Sequence, residues 1–420
     1  MSSPIKIAVI GAGGRGLNAH GREIARSQGK AEVVAVVDPK PDRRQLGLTM
    51  FPDMRPDMVM DNWQDFIAKG KVADAVVIAT MENLHEPIAV ACAKLGYHIL
   101  LEKPMAPTAQ ACRNIVGAAK EAGVIFAVCH ELRYAAYFQK MRSIIRSGAI
   151  GEVVHIQHVE DVSYWHFTHS FVRGHNNNTK RSSFSLLSKS CHDVDIIRFL
   201  MGKRCLQVQS FGGLMHFRKE CKPAEAGSAL RCTECPYESK CPYSAVKIYV
   251  HKGVNIGADA MPGESISRKF TPEELTRALK TGPMGRCVYE CDNDVADHQV
   301  VNFVYEGGQT AGFTMAGFTE GGRTTSVQGT RGILRGQLHK AAIQRFDFLT
   351  DTWHDESIQD KSALDGHGGG DAGLMREWLE AIETGDPSRI ITGPDETLET
   401  HLTTFAAEQS RHDGQVKTLD

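Results

Sequence analysis

Ile5-Lys6-Ile7-Ala8-Val9-Ile10-Gly11-Ala12-Gly13-Gly14-Arg15-Gly16 is the stretch on which the fold turns. A short apolar run reads as a buried strand, and the glycines behind it open a helix. Gly11, Gly13 and Gly16 fit G-x-G-x-x-G in its required place between strand and helix. The first glycine makes a tight turn, the second lets backbone approach a pyrophosphate, and the third lets helix pack on strand. The helix N-terminus then supplies N–H groups and the positive end of a dipole. Asp38 follows 22 residues after Gly16, at the end of the next apolar run. An acid there accepts from a ribose 2′-hydroxyl and repels a 2′-phosphate, which favours NAD over NADP. Lys40, Arg43 and Arg44 close behind it are the groups that would serve a 2′-phosphate instead.

Outward from this unit, the runs Val33 to Val37, Ala75 to Ala79, His98 to Leu101 and Val124 to Val128 alternate with helical periodicity over Gly16 to Gln28, Glu86 to Leu95 and Thr108 to Ala122. Strands alternating with helices predict a doubly wound parallel sheet, a Rossmann domain over residues 1–130. From about Gly148 the pattern changes. Gly151 to His158, Leu206 to Phe211, Gln299 to Tyr305, Thr310 to Phe318 and Ile343 to Leu349 are separated by Gly-rich turns, and predict an open, mostly antiparallel sheet. One long helix, Phe184 to Met201, interrupts them. The second, α+β domain is thus expected over 131–370, with a polar, cysteine-bearing insertion at about 217–297. Two helices, Asp371 to Thr384 and Asp395 to Ser410, close the chain within 371–420, packing back on the body, with Asp371 as an N-cap.

The chain has 420 residues, 48 basic and 50 acidic, for a net charge of −2. That balance offers no field to attract nucleic acid or an anionic membrane. No apolar run is long enough for a signal h-region or a membrane span, so a cytoplasmic protein is expected. The eleven cysteines argue against a secreted disulfide framework. Cys232-x2-Cys235-x5-Cys241, with Cys221 upstream and Cys287-x3-Cys291 downstream, offers more thiols than a tetrahedral structural zinc needs. We take Cys221, Cys232, Cys235 and Cys241 as the candidate ligands, with reduced buried cysteines as the alternative.

Tyr97 to Leu101 is an apolar run that stops on Glu102-Lys103-Pro104. In an open α/β sheet, ligands bind just beyond the carboxyl ends of strands, which puts Lys103 at the rim of a pocket. Further pieces are Ala79-Thr80 with Asn83 and His85, Arg133-Tyr134, Ser147 to Gly151, His192 with Asp195, and Gly329-Thr330-Arg331-Gly332. Together they resemble the Gfo/Idh/MocA oxidoreductase family along nearly the whole chain. The resemblance implies oxidation of sugars, polyols and related alcohols, or reduction of the ketones, with Lys103 and His192 as the catalytic pair and a C-terminal sheet that mediates homo-oligomers. It places Gly11, Gly13, Gly14, Arg15, Gly16, Asp38, Thr80, Asn83, His85, Glu102 and Lys103 at the cofactor. It departs at Ser188, where many members place an Asp four residues before the histidine. Either His192 works without that carboxylate, or Lys189 and Asp195 rearrange the site, or the reaction is a variant.

Around the pocket, Tyr164-Trp165-His166-Phe167-Thr168-His169 supplies aromatic faces and imidazoles suited to a hydroxyl-rich ring. Arg133, Tyr164, Trp165, His166, Lys189, Asp195 and His298 are the candidate substrate residues. Three functions are thus in play: net hydride transfer between NAD and a secondary alcohol of a sugar, glycoside or polyol; NAD-dependent glycoside cleavage by oxidation, elimination and reduction; and a dinucleotide-binding regulator without turnover.

Overall fold

The computed structural model describes residues 3–252, 266–267, 271–359 and 365–419, with 365 and 366 by backbone alone; residues 253–265 and 268–270 of the expected insertion lie outside these. Six parallel strands form the first sheet: β1 (Ile5–Ile10), β2 (Ala31–Val37), β3 (Val59–Met60), β4 (Ala75–Ile78), β5 (His98–Leu101) and β6 (Phe126–Val128). Their order is β3-β2-β1-β4-β5-β6. β4 is buried along its whole length, as expected of a strand covered on both faces. The two-residue β3 escaped the sequence reading because it is too short to show a period. The order reverses between β1 and β4, the kind of point at which open α/β sheets bind ligands beyond the carboxyl ends of their strands. Gly11, Asp38, Thr80, Glu102 and His130 each follow one of these strands and therefore share one edge.

Nine strands form the second sheet: β7 (Val153–Ser163), β8 (Cys205–Gly213), β9 (His298–Tyr305), β10 (Thr310–Thr319), β11 (Gly322–Gly329), β12 (Gly332–Gln337), β13 (Ala342–Asp347), β14 (Thr352–Asp355) and β15 (Lys417–Thr418). The order is β14-β13-β12-β11-β7-β10-β9-β8-β15. Every pairing is antiparallel except β7 with β10. A parallel pair needs a long crossover, and the helices and insertion between β7 and β10 provide one.

The expected helix over Phe184 to Met201 is two helices, Ser185–Ser188 and Cys191–Met201, with Ser190 out of helical geometry at φ −104° and ψ 11°. At this break the Ser188 carbonyl accepts a hydrogen bond from Lys103 Nζ at 3.0 Å. The last two long helices are Asp365–Thr384 and Pro394–Asp413. The first begins earlier than read, its opening turn passing through positive φ at His367 (47°), Gly368 (69°) and Gly369 (79°), where glycine relieves the steric cost. Asp371 is consequently not an N-cap but lies inside the helix, its carboxylate turned to Arg15 and His367. Leu374, Met375, Trp378 and Leu379 of this helix join the core of the first sheet, although the second domain separates them from it in sequence.

Candidate active site

The glycine loop has the shape a dinucleotide needs. Gly11 has φ 95°, and a Cβ on it would meet the Ala79 carbonyl oxygen at 2.4 Å; one on Gly16 would meet the Gly11 carbonyl oxygen at 1.8 Å. A Cβ on Gly14 meets nothing within 4 Å, so the loop faces open space there. Asp38 is buried at the end of β2, accepting from the Ala12 N–H at 2.9 Å and the Lys40 N–H at 2.9 Å, with Arg43 Nη1 at 3.3 Å. Arg44 turns away to the Asp38 and Pro39 carbonyls. Asn83 is exposed at the rim. Buried His85 is scaffolding: Nδ1 lies 3.0 Å from the Pro104 carbonyl oxygen and Nε2 3.2 Å from that of Thr80, which ties the ends of β4 and β5 together.

Beyond β5 and β6 the acidic and basic groups crowd. Arg15, which the sequence assigns to the cofactor, bonds Glu102 at 2.6 Å, Asp371 at 2.7 Å, and Glu131. His20 Nε2 lies 2.8 Å from Glu102 Oε1. His192 is buried, with neither ring nitrogen hydrogen-bonded; Nε2 stands 3.6 Å from Glu131 Oε2, which is also without a partner. Across the ring, at 5.8 Å between centroids, is His367, whose Nδ1 is 3.1 Å from Asp371 Oδ2. The donor atoms of Glu131, His367 and Asp371 fall within 4.8 Å of one another, and the Arg15 guanidinium already supplies their positive charge.

Environment sets the protonation of these groups in opposite senses. Burial pushes Glu102 up, but Arg15 and His20 outweigh it and hold the carboxylate well below its usual range. For Glu131, burial prevails over Arg15 and, with Glu102 and Asp371 nearby, pushes it up to about 8. Burial keeps His192 well below its ordinary value, and Lys103 is the largest charge adding to that effect. Burial also lowers His367, against the hydrogen bond and charge of Asp371, whose Oδ2 faces its Nδ1. Burial thus disfavours charge on both imidazoles and on Glu131, and Lys103 is among the charges acting on each imidazole.

Several expected substrate residues are engaged with other side chains. Arg133 and Asp195 are both buried and bond each other through Nε–Oδ2 at 2.6 Å and Nη2–Oδ1 at 2.7 Å, with Arg133 also held by Glu396; they form an internal brace, not a binding surface. His298 pairs with Asp297 at 2.9 Å, in a network with the Met215 and His216 N–H groups. Lys189 is paired with Glu160 at 2.8 Å, and Arg323 links Glu160 to Asp193. His166 stacks on Trp165, and burial followed by Lys189 lowers its basicity. Tyr164 accepts from Lys252 Nζ at 2.7 Å. The carboxyl beside His192 Nε2 is that of Glu131, just past β6, at 3.6 Å. Its signal in the sequence was its position at a strand's carboxyl end, two residues before Arg133.

The cysteines divide. Cys232, Cys235 and Cys241 line a small apolar cavity of about 20 Å³ together with Cys287, whereas Cys221 points its thiol at the Met215 carbonyl, 3.5 Å away. Among the described residues no three of these sulfurs lie within 4.8 Å of one another, so the four named thiols do not fit a tetrahedral zinc as placed. Arg173 Nη2 instead donates to Cys232 Sγ at 3.6 Å. Among the described residues no helix is long and apolar enough to cross a membrane.

Against known proteins, residues 5–130 match the model of the oxidoreductase family with NAD-binding Rossmann fold, and residues 138–231 match the GFO/IDH/MocA C-terminal domain. A Bacillus subtilis protein named as an oxidoreductase, YteT, is 24% identical over 362 residues, 82% of this chain and 81% of that protein. Inositol 2-dehydrogenase of Acidothermus cellulolyticus is 29% identical over 212 residues, 50% of this chain and 57% of its own length. In structure, an Agrobacterium radiobacter oxidoreductase solved with NAD+, L-tartaric acid and magnesium aligns over 99% of this chain and 98% of its own, with TM-score 0.68 and 16% identity.

Proposed function

The chain belongs to the GFO/IDH/MocA oxidoreductase family, and on that footing we propose that it moves hydride between NAD and a secondary alcohol of a sugar, glycoside or polyol, with Lys103 and His192 as the catalytic pair. A bound nicotinamide supplies the hydride acceptor. The residues fit it: an open glycine loop, a buried acid at the end of β2, and Lys103 beyond β5 at the same edge. Lys103 Nζ, a compact cation, steadies the alkoxide that forms as the carbinol loses its proton. His192, kept neutral by burial, accepts that proton.

The observation that carries the reading is the bond from Lys103 Nζ to the Ser188 carbonyl, which pins the end of β5 against the helix break just before His192. Glu131, with Oε2 3.6 Å from His192 Nε2, is the carboxyl that stands beside the imidazole. With NAD and a panel of polyols and aldoses including myo-inositol, Lys103→Ala and His192→Ala should each lower the rate of NAD reduction by about 10²- to 10⁴-fold. Wild-type rates in both variants would overturn the assignment.

A further inference from the structure

A desolvated charge is costly unless an opposite one stands close by. Arg173 is buried, and among the described residues no carboxylate pairs with it. Its Nε donates to the Arg286 carbonyl at 2.8 Å and its Nη2 to the Tyr243 carbonyl at 2.7 Å and to Cys232 Sγ at 3.6 Å, while Nη1 has no partner. Burial works against the guanidinium charge, and Cys232 is the largest influence holding it up. Arg173 lines the cavity between Cys232, Cys235, Cys241 and Cys287. Glu238, the one carboxylate there, accepts from Ser244 Oγ instead. The short turns Cys232–Glu234 and Glu238–Lys240 bring the first three cysteines round. The bridge between Arg231 and Arg286, with the bond from the Cys287 N–H to the Leu230 carbonyl at 2.8 Å, adds the fourth.

Burial pushes the Cys241 thiol up to about 11 and raises that of Cys287, against backbone hydrogen bonds from Tyr243 and Tyr289 respectively. Bare thiolates are therefore disfavoured here, whereas a coordinating metal deprotonates a thiol outright. Spacing selects the metal. Around one zinc, with Zn–S about 2.3 Å, four sulfurs close to about 3.8 Å of one another. Among the described residues no three cysteine sulfurs come within 4.8 Å of one another, and a cavity of about 20 Å³ is left between the four side chains. A cubane of iron and sulfide interposes an iron between its centre and each thiolate, so it takes sulfurs set wider than a single ion does. We infer that Cys232, Cys235, Cys241 and Cys287 hold a cubane iron–sulfur cluster, with Arg173 as the cation facing it. On binding, each thiol yields its proton to solvent and its sulfur to one iron, and no electron is transferred. Four thiolates leave such a cluster anionic, which answers the unpaired arginine. The cluster clamps both cysteine stretches to Arg173, whose turn Thr168–Arg173 follows directly on Tyr164–Phe167. It is independent of hydride transfer at the other site.

The test purifies the full chain without oxygen, reconstitutes a portion with ferrous iron, sulfide and a thiol reductant, and measures iron, zinc and sulfide per chain. About four irons and four sulfides are expected, with a broad visible absorption that dithionite bleaches. Cys287→Ala should lower bound iron several-fold, whereas Cys221→Ala and Cys291→Ala, outside the set, should keep the wild-type content; fold is checked by circular dichroism. Arg173→Gln should shift the reduction potential to more negative values, because loss of a cation disfavours the added electron. One zinc per chain without sulfide, or iron without sulfide, would overturn the cluster in favour of a single ion. Folded wild-type protein that takes up neither iron nor sulfide on reconstitution would overturn it outright. Equal iron loss in Cys221→Ala and Cys287→Ala would overturn the ligand set, and an unchanged potential in Arg173→Gln would overturn the role of the arginine.

Discussion

Near neutral pH Glu131 keeps a proton that a solvated glutamate has lost, and folding carries the consequence. Its value rises from 4.5 to about 8, because burial prevails over Arg15 and other carboxylates crowd it. A raised carboxyl favours the folded state below the ordinary value, and that contribution is lost as pH climbs toward about 8, since the unfolded chain gives up the proton first. Glu131→Gln should therefore raise Tm relative to wild type, and the gap should widen from pH 5 to pH 8 in thermal scans. A gap that narrows would mean Glu131 is ionised in the folded protein. The Arg133–Asp195 pair behaves differently because both members are buried and bidentate. Asp195→Asn leaves a buried guanidinium short of charge and should cost about 3–5 kcal/mol by urea unfolding, whereas Arg133→Met with Asp195→Leu should cost less.

Elements explain what could be read early and what could not. β1, β2, β4, β5 and β6 were legible because strands covered on both faces are continuous apolar runs, and the glycine loop because only glycine fits there. Gly16→Ala would drive a Cβ into the Gly11 carbonyl and should abolish NAD binding measured by calorimetry; retained affinity would contradict the loop geometry. The helix break at Ser190 was hidden because local periodicity continues across it, while the lysine that bonds the Ser188 carbonyl there lies 85 positions earlier. The same holds for Asp371. A short acid after three glycines reads as a cap, and only the approach of Arg15, 356 positions away, turns it into part of the cleft. Lys103 was singled out by its place beyond a strand and, with His192, by resemblance, whereas the proximity of Glu131 and His367 to His192 is visible only in the structure. That Arg133 and Asp195 bond each other in the interior was not legible, because a buried pair and a binding pair use the same residue types.

Across the whole molecule, Arg15 is the residue on which the halves converge. It leaves the glycine loop and meets Glu102 beyond β5, Glu131 beyond β6 and Asp371 on the helix that rejoins the first core. Arg15 and its neighbours overcome burial to keep Glu102 and Asp371 low, so their contribution to stability is present above the usual carboxylate range and fades as pH falls. Arg15→Met should accordingly lower Tm more at pH 8 than at pH 4, and equal losses at both would show that the guanidinium acts by packing alone. The same arrangement governs how this enzyme could be recombined. A Rossmann half cut at residue 130 and exchanged for that of another dehydrogenase would carry away Arg15 and Glu102 but leave Glu131 and Asp371 behind. Such a chimera inherits two orphaned carboxyls at its seam, so the transplantable unit here is a charge set spread over three stretches of chain, not a contiguous domain.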